Sequence, residues 1–248
     1  GHVGPALRGH KEARFSMAQS YSLARLASST VATKAAMAVS GLGLFGFLIG
    51  HMLGNLQVFG LFGGREAMNA YGHFLHSHPM FLWSARLGLL GLLLIHFVSA
   101  WRLIFLNNAA RPVPYKVKKP IKSTYASRTM RYTGPIVMVY IIYHLLHFTI
   151  AGVGIAGYPF KDSLGQVDVY KHVVISFQMV PVALAYIVAN ALLGLHLWHG
   201  LWALFQSLGL VNPKFDALKR TGATALTIFV IAGLLAVPFG VLFGVVAL

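Results

Sequence analysis

The stretch Ala35–Phe62, AAMAVSGLGLFGFLIGHMLGNLQVFGLF, contains no charged residue and one ionisable side chain, His51. At about 1.5 Å of rise per residue, a helix of this length exceeds the roughly 30 Å of hydrocarbon in a bilayer. It reads as a membrane span with an imidazole inside it. Four more runs of the same kind follow, near Phe81–Phe105, Tyr132–Gly157, His172–Leu208 and Thr221–Leu248. The chain of 248 residues is 57% hydrophobic and only 10% charged, yet its net charge is +15. A nucleic-acid binder carries its excess charge on a polar surface, which this composition does not supply, so nucleic acid is excluded and the lipid bilayer becomes the expected partner. The fold expected is an all-α membrane protein of five transmembrane helices.

The charge then has to be located. From Arg102, in the last turn of the second run, to Arg131, just before the third, lie Arg102, Arg111, Lys116, Lys118, Lys119, Lys122, Arg128 and Arg131, with no acid among them. An excess of Lys and Arg marks a cytoplasmic loop. The same rule places inside the N-terminal segment, with Arg8, Lys11, Arg14, Arg25 and Lys34, and the fourth loop, with Lys214, Lys219 and Arg220. The loops Gly63–Met80 and Tyr158–Lys171 balance Arg65, Lys161 and Lys171 against Glu66, Asp162 and Asp168, which marks the outer side. The expected topology has the N-terminus in the cytoplasm and the C-terminus outside. Residues 1–30 form a cytoplasmic segment and 31–248 one membrane domain. Lys34 leads straight into a full-length span without a small-residue cleavage site, so no secretory signal is expected. Met17 is a candidate initiator, and no function is placed on residues 1–16.

Cysteine is absent and histidine occurs 12 times. The first figure excludes disulfides, thiolate catalysis and cysteine-held iron–sulfur clusters. Six histidines fall at bilayer depth, where an ionisable group is costly and points to function: His51, His96, His144, His147, His196 and His199. They occupy four spans. Four helices each offering an imidazole are what two bis-histidine haems require. Counting from Lys34, Arg131 and Arg102 puts His51 and His144 in the outer half and His96 toward the inside. His196, far beyond Lys171, also falls inward, so the pairs are His51 with His144 and His96 with His196. HLLH and HLWH each place a second histidine three residues on, and spacing alone does not choose between the two.

These segments resemble a known family. FLIGHMLGN around His51, GGREAMNAYGHFL after it, LLLIHFVSAWR around His96, RYTGPIVMVYIIYH ending at His144 and LGLHLWHGLW around His196 look like the dihaem cytochrome b membrane anchor of succinate dehydrogenase and fumarate reductase, single-chain five-helix type. The resemblance runs from about Lys34 to the C-terminus. It implies four helices forming a dihaem bundle, selects His144 over His147 and His196 over His199, and gives the outer pair the distal haem and the inner pair the proximal one. It further implies two haem b, menaquinone or another quinone as substrate, and flavoprotein and iron–sulfur subunits docked on the cytoplasmic face. The implied location is a bacterial cytoplasmic membrane, and the resemblance allows a higher oligomer of the whole complex.

Other residues acquire expectations on this basis. Arg102 is a candidate for a proximal propionate and Arg86 for the distal haem or quinone, each against snorkelling to the interface. Glu66 matches a carboxylate that the resemblance places near the menaquinone site, and His73, with His76 and His78, is a candidate for protonation there or for a plain interface role. The family's carboxylate on the fourth span has no counterpart in His172–Leu208. A dihaem anchor of hydrogenase or formate dehydrogenase type is the alternative. A membrane di-iron hydroxylase fits less well, because the histidines split between two depths and none are adjacent. A small transporter finds no internal repeat to support it.

Overall fold

The structure, a computed structural model, describes residues 29–110, 113, 123–150 and 157–248. The cytoplasmic segment 1–28, with Arg8, Lys11, Arg14 and Arg25, and the loop cations Arg111, Lys116, Lys118, Lys119 and Lys122 lie outside the described residues.

Seven α-helices carry the described chain: α1 Thr30–Leu56, α2 Gly64–Ser77, α3 Pro79–Ala109, α4 Tyr125–Leu145, α5 Val169–Gln178, α6 Val180–Ser207 and α7 Asp216–Leu242. A π-turn, Leu146–Ile150, prolongs α4. Five of these helices are long and apolar enough to cross a membrane: α1, α3, α4 with its π-turn, α6, and α7 with the short turn before it. Local chemistry sets their starts. Ser29 caps α1 by accepting the Ala32 amide at 3.0 Å, Thr124 caps α4 through the Ser127 amide, and Asp168 caps α5 through the Lys171 amide. Pro79 opens α3, where its missing amide leaves nothing unsatisfied.

Two sequence expectations change. The apolar run His172–Leu208 is not one helix but α5 and α6, joined at Met179 in an extended conformation with φ −76° and ψ 100°. Pro181 explains the break, since inside a continuous helix it would leave a carbonyl one turn back without an amide; here it sits in the first turn of α6 instead. Counting the depth of His196 from Lys171 along a single axis therefore fails, and His196 is properly counted from Val180. The expected outer loop Gly63–Met80 is also helical over most of its length, as α2, entered through Gly63 at φ 103°.

The spans pack in the order α3, α1, α6, α4, with α7 against both α1 and α6. In hydrocarbon no water is expelled by joining apolar helices, so close approach over small residues has to hold them. A Cβ on Gly233 of α7 would run into Met52 Sδ of α1, and one on Gly194 of α6 would fall 3.2 Å from Ile231 of α7. The span α3 buries only Ser99 and Leu103 and leaves most of its length facing outward.

Helices α2 and α5 cap one end of the bundle through a buried carboxylate. Asp168 accepts from Arg65 Nη2, from Asn69 Nδ2 at 2.9 Å and from the Lys171 amide at 3.0 Å, while Asn69 Oδ1 accepts the Tyr170 amide. His73 lies one turn beyond Asn69, 3.2 Å from Asp162 and 3.3 Å from the Val167 carbonyl. Arg65, Asn69 and His73 recur every four residues, so one stripe of α2 grips the 160–170 segment. The opposite end gathers Lys34, Arg102, Arg128, Arg131, Lys214, Lys219 and Arg220.

Burial raises the cost of ionising Asp168, but the hydrogen bonds from Lys171, Asn69 and Arg65 outweigh it and hold the carboxyl below the usual carboxylate range. A folded pKa below the unfolded value, about 3.9, means that this contribution is fully present above that pH and is lost as pH falls from there through the folded pKa. The protection factors of α2 amides, exchange measured against the intrinsic rate at each pH, are therefore expected to fall below about pH 4. Asp168→Ala should produce the same loosening at neutral pH, costing about 1–2 kcal/mol as read by thermal unfolding, since it removes the α5 cap but leaves behind a half-exposed Arg65.

Candidate functional site

The in-span histidines meet in two pairs, each across a diagonal of the α3–α1–α6–α4 arrangement. His51 of α1 and His144 of α4 have ring centroids 5.6 Å apart, and His96 of α3 and His196 of α6 are 6.1 Å apart. Helices α1 and α4 are separated by α6, and α3 and α6 by α1, so the imidazoles bridge backbones that do not themselves pack closely.

The pairs lie at different levels, and the glycines locate them. A Cβ on Gly41 of α1 would fall 3.0 Å from His96 Cε1, and one on Gly134 of α4 would lie 3.8 Å from His196 Cε1. Gly41 is ten residues before His51, and Gly134 ten before His144. Along two separate helices the same offset results, about 15 Å between levels.

Hydrogen bonding prepares His96 in particular. Its Nδ1 donates to the Met37 carbonyl at 3.0 Å, which directs the lone pair to Nε2, the tautomer of a metal-bound imidazole whose other nitrogen is anchored. His196 Nδ1 is buried and has no partner among the described residues. His144 Nδ1 faces the Tyr186 hydroxyl at 3.4 Å. His51 Nε2 meets the Asn55 amide at 3.2 Å, and that amide also donates to the His51 carbonyl at 2.7 Å. Metal at Nε2 would take the lone pair and leave Asn55 its carbonyl bond. Two imidazoles bound to one metal at about 2 Å each stand with their centres roughly 6 Å apart, which the observed separations match. With two imidazoles per pair in apolar surroundings, His51 and His144 would hold a haem iron at one level and His96 and His196 at the other. No group of three or more His, Cys, Asp or Glu side chains that could hold a metal ion occurs among the described residues.

The second histidines of each motif go elsewhere. His147, in the π-turn, is fully buried and its Nδ1 lies 2.9 Å from the Tyr186 hydroxyl, so Tyr186 stands between His144 and His147. His199 is half-buried one turn beyond His196. His73 is held by Asp162 and Val167, while His76 and His78 bond the Gly72 and Phe74 carbonyls of their own helix, each at 2.8 Å. Glu66 is exposed in the first turn of α2. The Arg86 guanidinium lies over the Trp83 ring, 5.2 Å from its centre, ten residues from His96 toward the capped end. Arg102 is exposed, six residues from His96 toward the basic end.

Two residues escaped sequence reasoning. His172 is buried in α5 with its ring 6.0 Å from that of His147, and Tyr186 packs among Tyr140, Tyr143 and Phe148. The pattern Asp168-x-x-Lys171 before His172, together with Pro181 after it, was the available signal for a separate capped helix.

Substituting valine for Gly41 is expected to push the His96 ring off the Met37 carbonyl. A cofactor held at that level should be lost while the His51–His144 level keeps its own, as read by absorbance per chain. Comparison of the chain with protein-family models, with curated proteins and with solved structures finds no match.

Proposed function

We propose that this chain is the membrane anchor and electron-transfer subunit of a succinate:quinone oxidoreductase, carrying two bis-histidine b haems, and that it serves menaquinone at its capped end. The observation that carries this reading is the pair of histidine bridges, His51 with His144 and His96 with His196, across both diagonals of one bundle and about 15 Å apart in level. Haem, when bound, supplies a one-electron carrier at each level, linking an iron–sulfur partner to quinone.

The chain's own residues divide the remaining work. His96 is held by Met37 in the tautomer that offers Nε2, and Gly41 and Gly134 leave room beside the rings of the same level. Without cysteine the chain holds no cluster of its own, so electrons reach it from a partner. The end bearing Lys34, Arg102, Arg128, Arg131, Lys214, Lys219 and Arg220 is the docking face for the flavoprotein and iron–sulfur subunits and, by its charge, the cytoplasmic face. The topology that follows has the N-terminus inside and the C-terminus outside, in a bacterial cytoplasmic membrane. Oxidising a hydroquinone releases two protons with two electrons, and exposed Glu66 on α2 is the carboxylate placed to receive one at the capped end. Arg86 is the cation nearest that end on α3, and Arg102 the one beside the inner level. His73, held against Asp162 on the same stripe of α2, is the second candidate for protonation at that end.

A reduced-minus-oxidised spectrum of the purified protein should show low-spin b-type haem at about two per chain; iron without haem would overturn the reading. Replacing His96 or His196 should lower the content to about one haem per chain with the other level intact. Replacing His147 or His199 should keep both, and loss of haem on His147 replacement with retention on His144 replacement would reverse the ligand assignment.

A further inference from the structure

His147 and His172 are 0% and 4% exposed, and Nε2 of each is buried without a partner among the described residues. Their rings meet edge to face, with centroids 6.0 Å apart. Phe148 lies against both, Tyr143 stacks on His147, and Tyr158 packs on His172 at 4.7 Å. Two imidazole nitrogens sharing an apolar enclosure are an uncommon arrangement, because a buried polar atom ordinarily has a protein or water partner.

The hydrogen bonds leading to this enclosure set its polarity, an argument that rests on the haem reading above. Iron on His144 Nε2 leaves the proton on Nδ1, which faces the Tyr186 hydroxyl at 3.4 Å. A hydroxyl has one proton to give. Tyr186 therefore accepts from His144 and donates to His147 Nδ1, 2.9 Å away. His147 is then the Nε2–H tautomer, with a buried donor directed away from Tyr186. The other unpartnered atom, His172 Nε2, would supply a lone pair in the Nδ1–H tautomer.

We propose that His147 Nε2 and His172 Nε2 together bind one hydroxyl oxygen, which accepts from the first and donates to the second. The ligand is an O–H group, either an internal water or the hydroxyl of a bound hydroquinone. It completes a row of hydrogen bonds from His144 through Tyr186 and His147 to His172, one short helix away from the α2 cap. No carboxylate lies between His172 and Leu208, so in this part of the molecule the row of imidazole and phenol groups is what links the pair's level to the cap.

The test uses the full chain labelled with ¹⁵N-histidine, first stripped of quinone and then loaded with a short-chain naphthohydroquinone under reducing conditions. His147→Gln and His172→Gln variants assign the signals. His147 should appear as the Nε2–H tautomer and His172 as the Nδ1–H tautomer. Hydrogen-bonded shifts at both Nε2 atoms in the stripped protein identify water as the bridge, and their appearance only after loading identifies the hydroquinone. Tyr186→Phe should release the tautomer preference of His147 while the spectrum of two haems persists. His147 as the Nδ1–H tautomer in both preparations, or an unchanged His147 Nε2 signal in His172→Gln, overturns the proposal. Haem content measured on the same samples separates this failure from failure of the haem reading: two haems with a wrong tautomer sink only the bridge.

Discussion

An imidazole has two nitrogens, and inside hydrocarbon neither can fall back on water. Much of the arrangement around the spans can be read from how that constraint is met. His96 satisfies one nitrogen on the Met37 carbonyl, His144 and His147 share the Tyr186 hydroxyl, and His51 turns to Asn55. What these contacts leave over is as informative as what they satisfy. The buried Nδ1 of His196 has no partner among the described residues. The four rings nevertheless meet in pairs, His51 with His144 and His96 with His196.

The cap obeys the opposite logic. Asp168 is a buried carboxylate that keeps its charge, because three donors converge on it, two side chains from α2 and an amide from the first turn of α5. It ties α2 to α5, and α5 carries His172 into contact with His147. The polar cap thus reaches the spans through α5 as well as through the direct packing of α2 on α1 and α3. Helix α5 is separate from α6 because Pro181 sits where a continuous helix would need an amide.

Hydropathy made the five spans legible, although their ends moved: the first begins at Thr30 rather than Ala35, and the third begins at Tyr125 rather than Tyr132. Helix ends depend on caps such as Ser29 and Thr124, which a search for apolar runs passes over. The ring contacts join His51 with His144 and His96 with His196, the pairs expected. Distance to a flanking cation was a sound guide for His51, His96 and His144; the count for His196 ran from Lys171 across the break at Met179 and reached the same partner by a faulty route. Hidden were α5, absorbed into an unbroken apolar run, and α2, whose composition is nearly neutral in hydropathy and opens with two glycines. The role of His73 was hidden for a similar reason: its partner Asp162 lies 89 positions away, and no local pattern encodes such a contact. The π-turn at Leu146–Ile150, which sets His144 and His147 on one hydroxyl, has no signature in the sequence.

The double employment of α1 has a consequence for how the two levels behave. This helix supplies His51 to one pair and, through the Met37 carbonyl and the bare face of Gly41, the seat of His96 for the other. Behind it, α7 is pressed against Met52 by Gly233, so α1 has little room to shift on that side. On the dihaem reading, a displacement of this helix at one level would be felt at the other. Filling one level would then change the free energy of filling the second, and linkage would make the effect equal in both directions. The element to watch for such coupling is α1, since it supplies a ligand candidate to one level and the seat of the ring at the other.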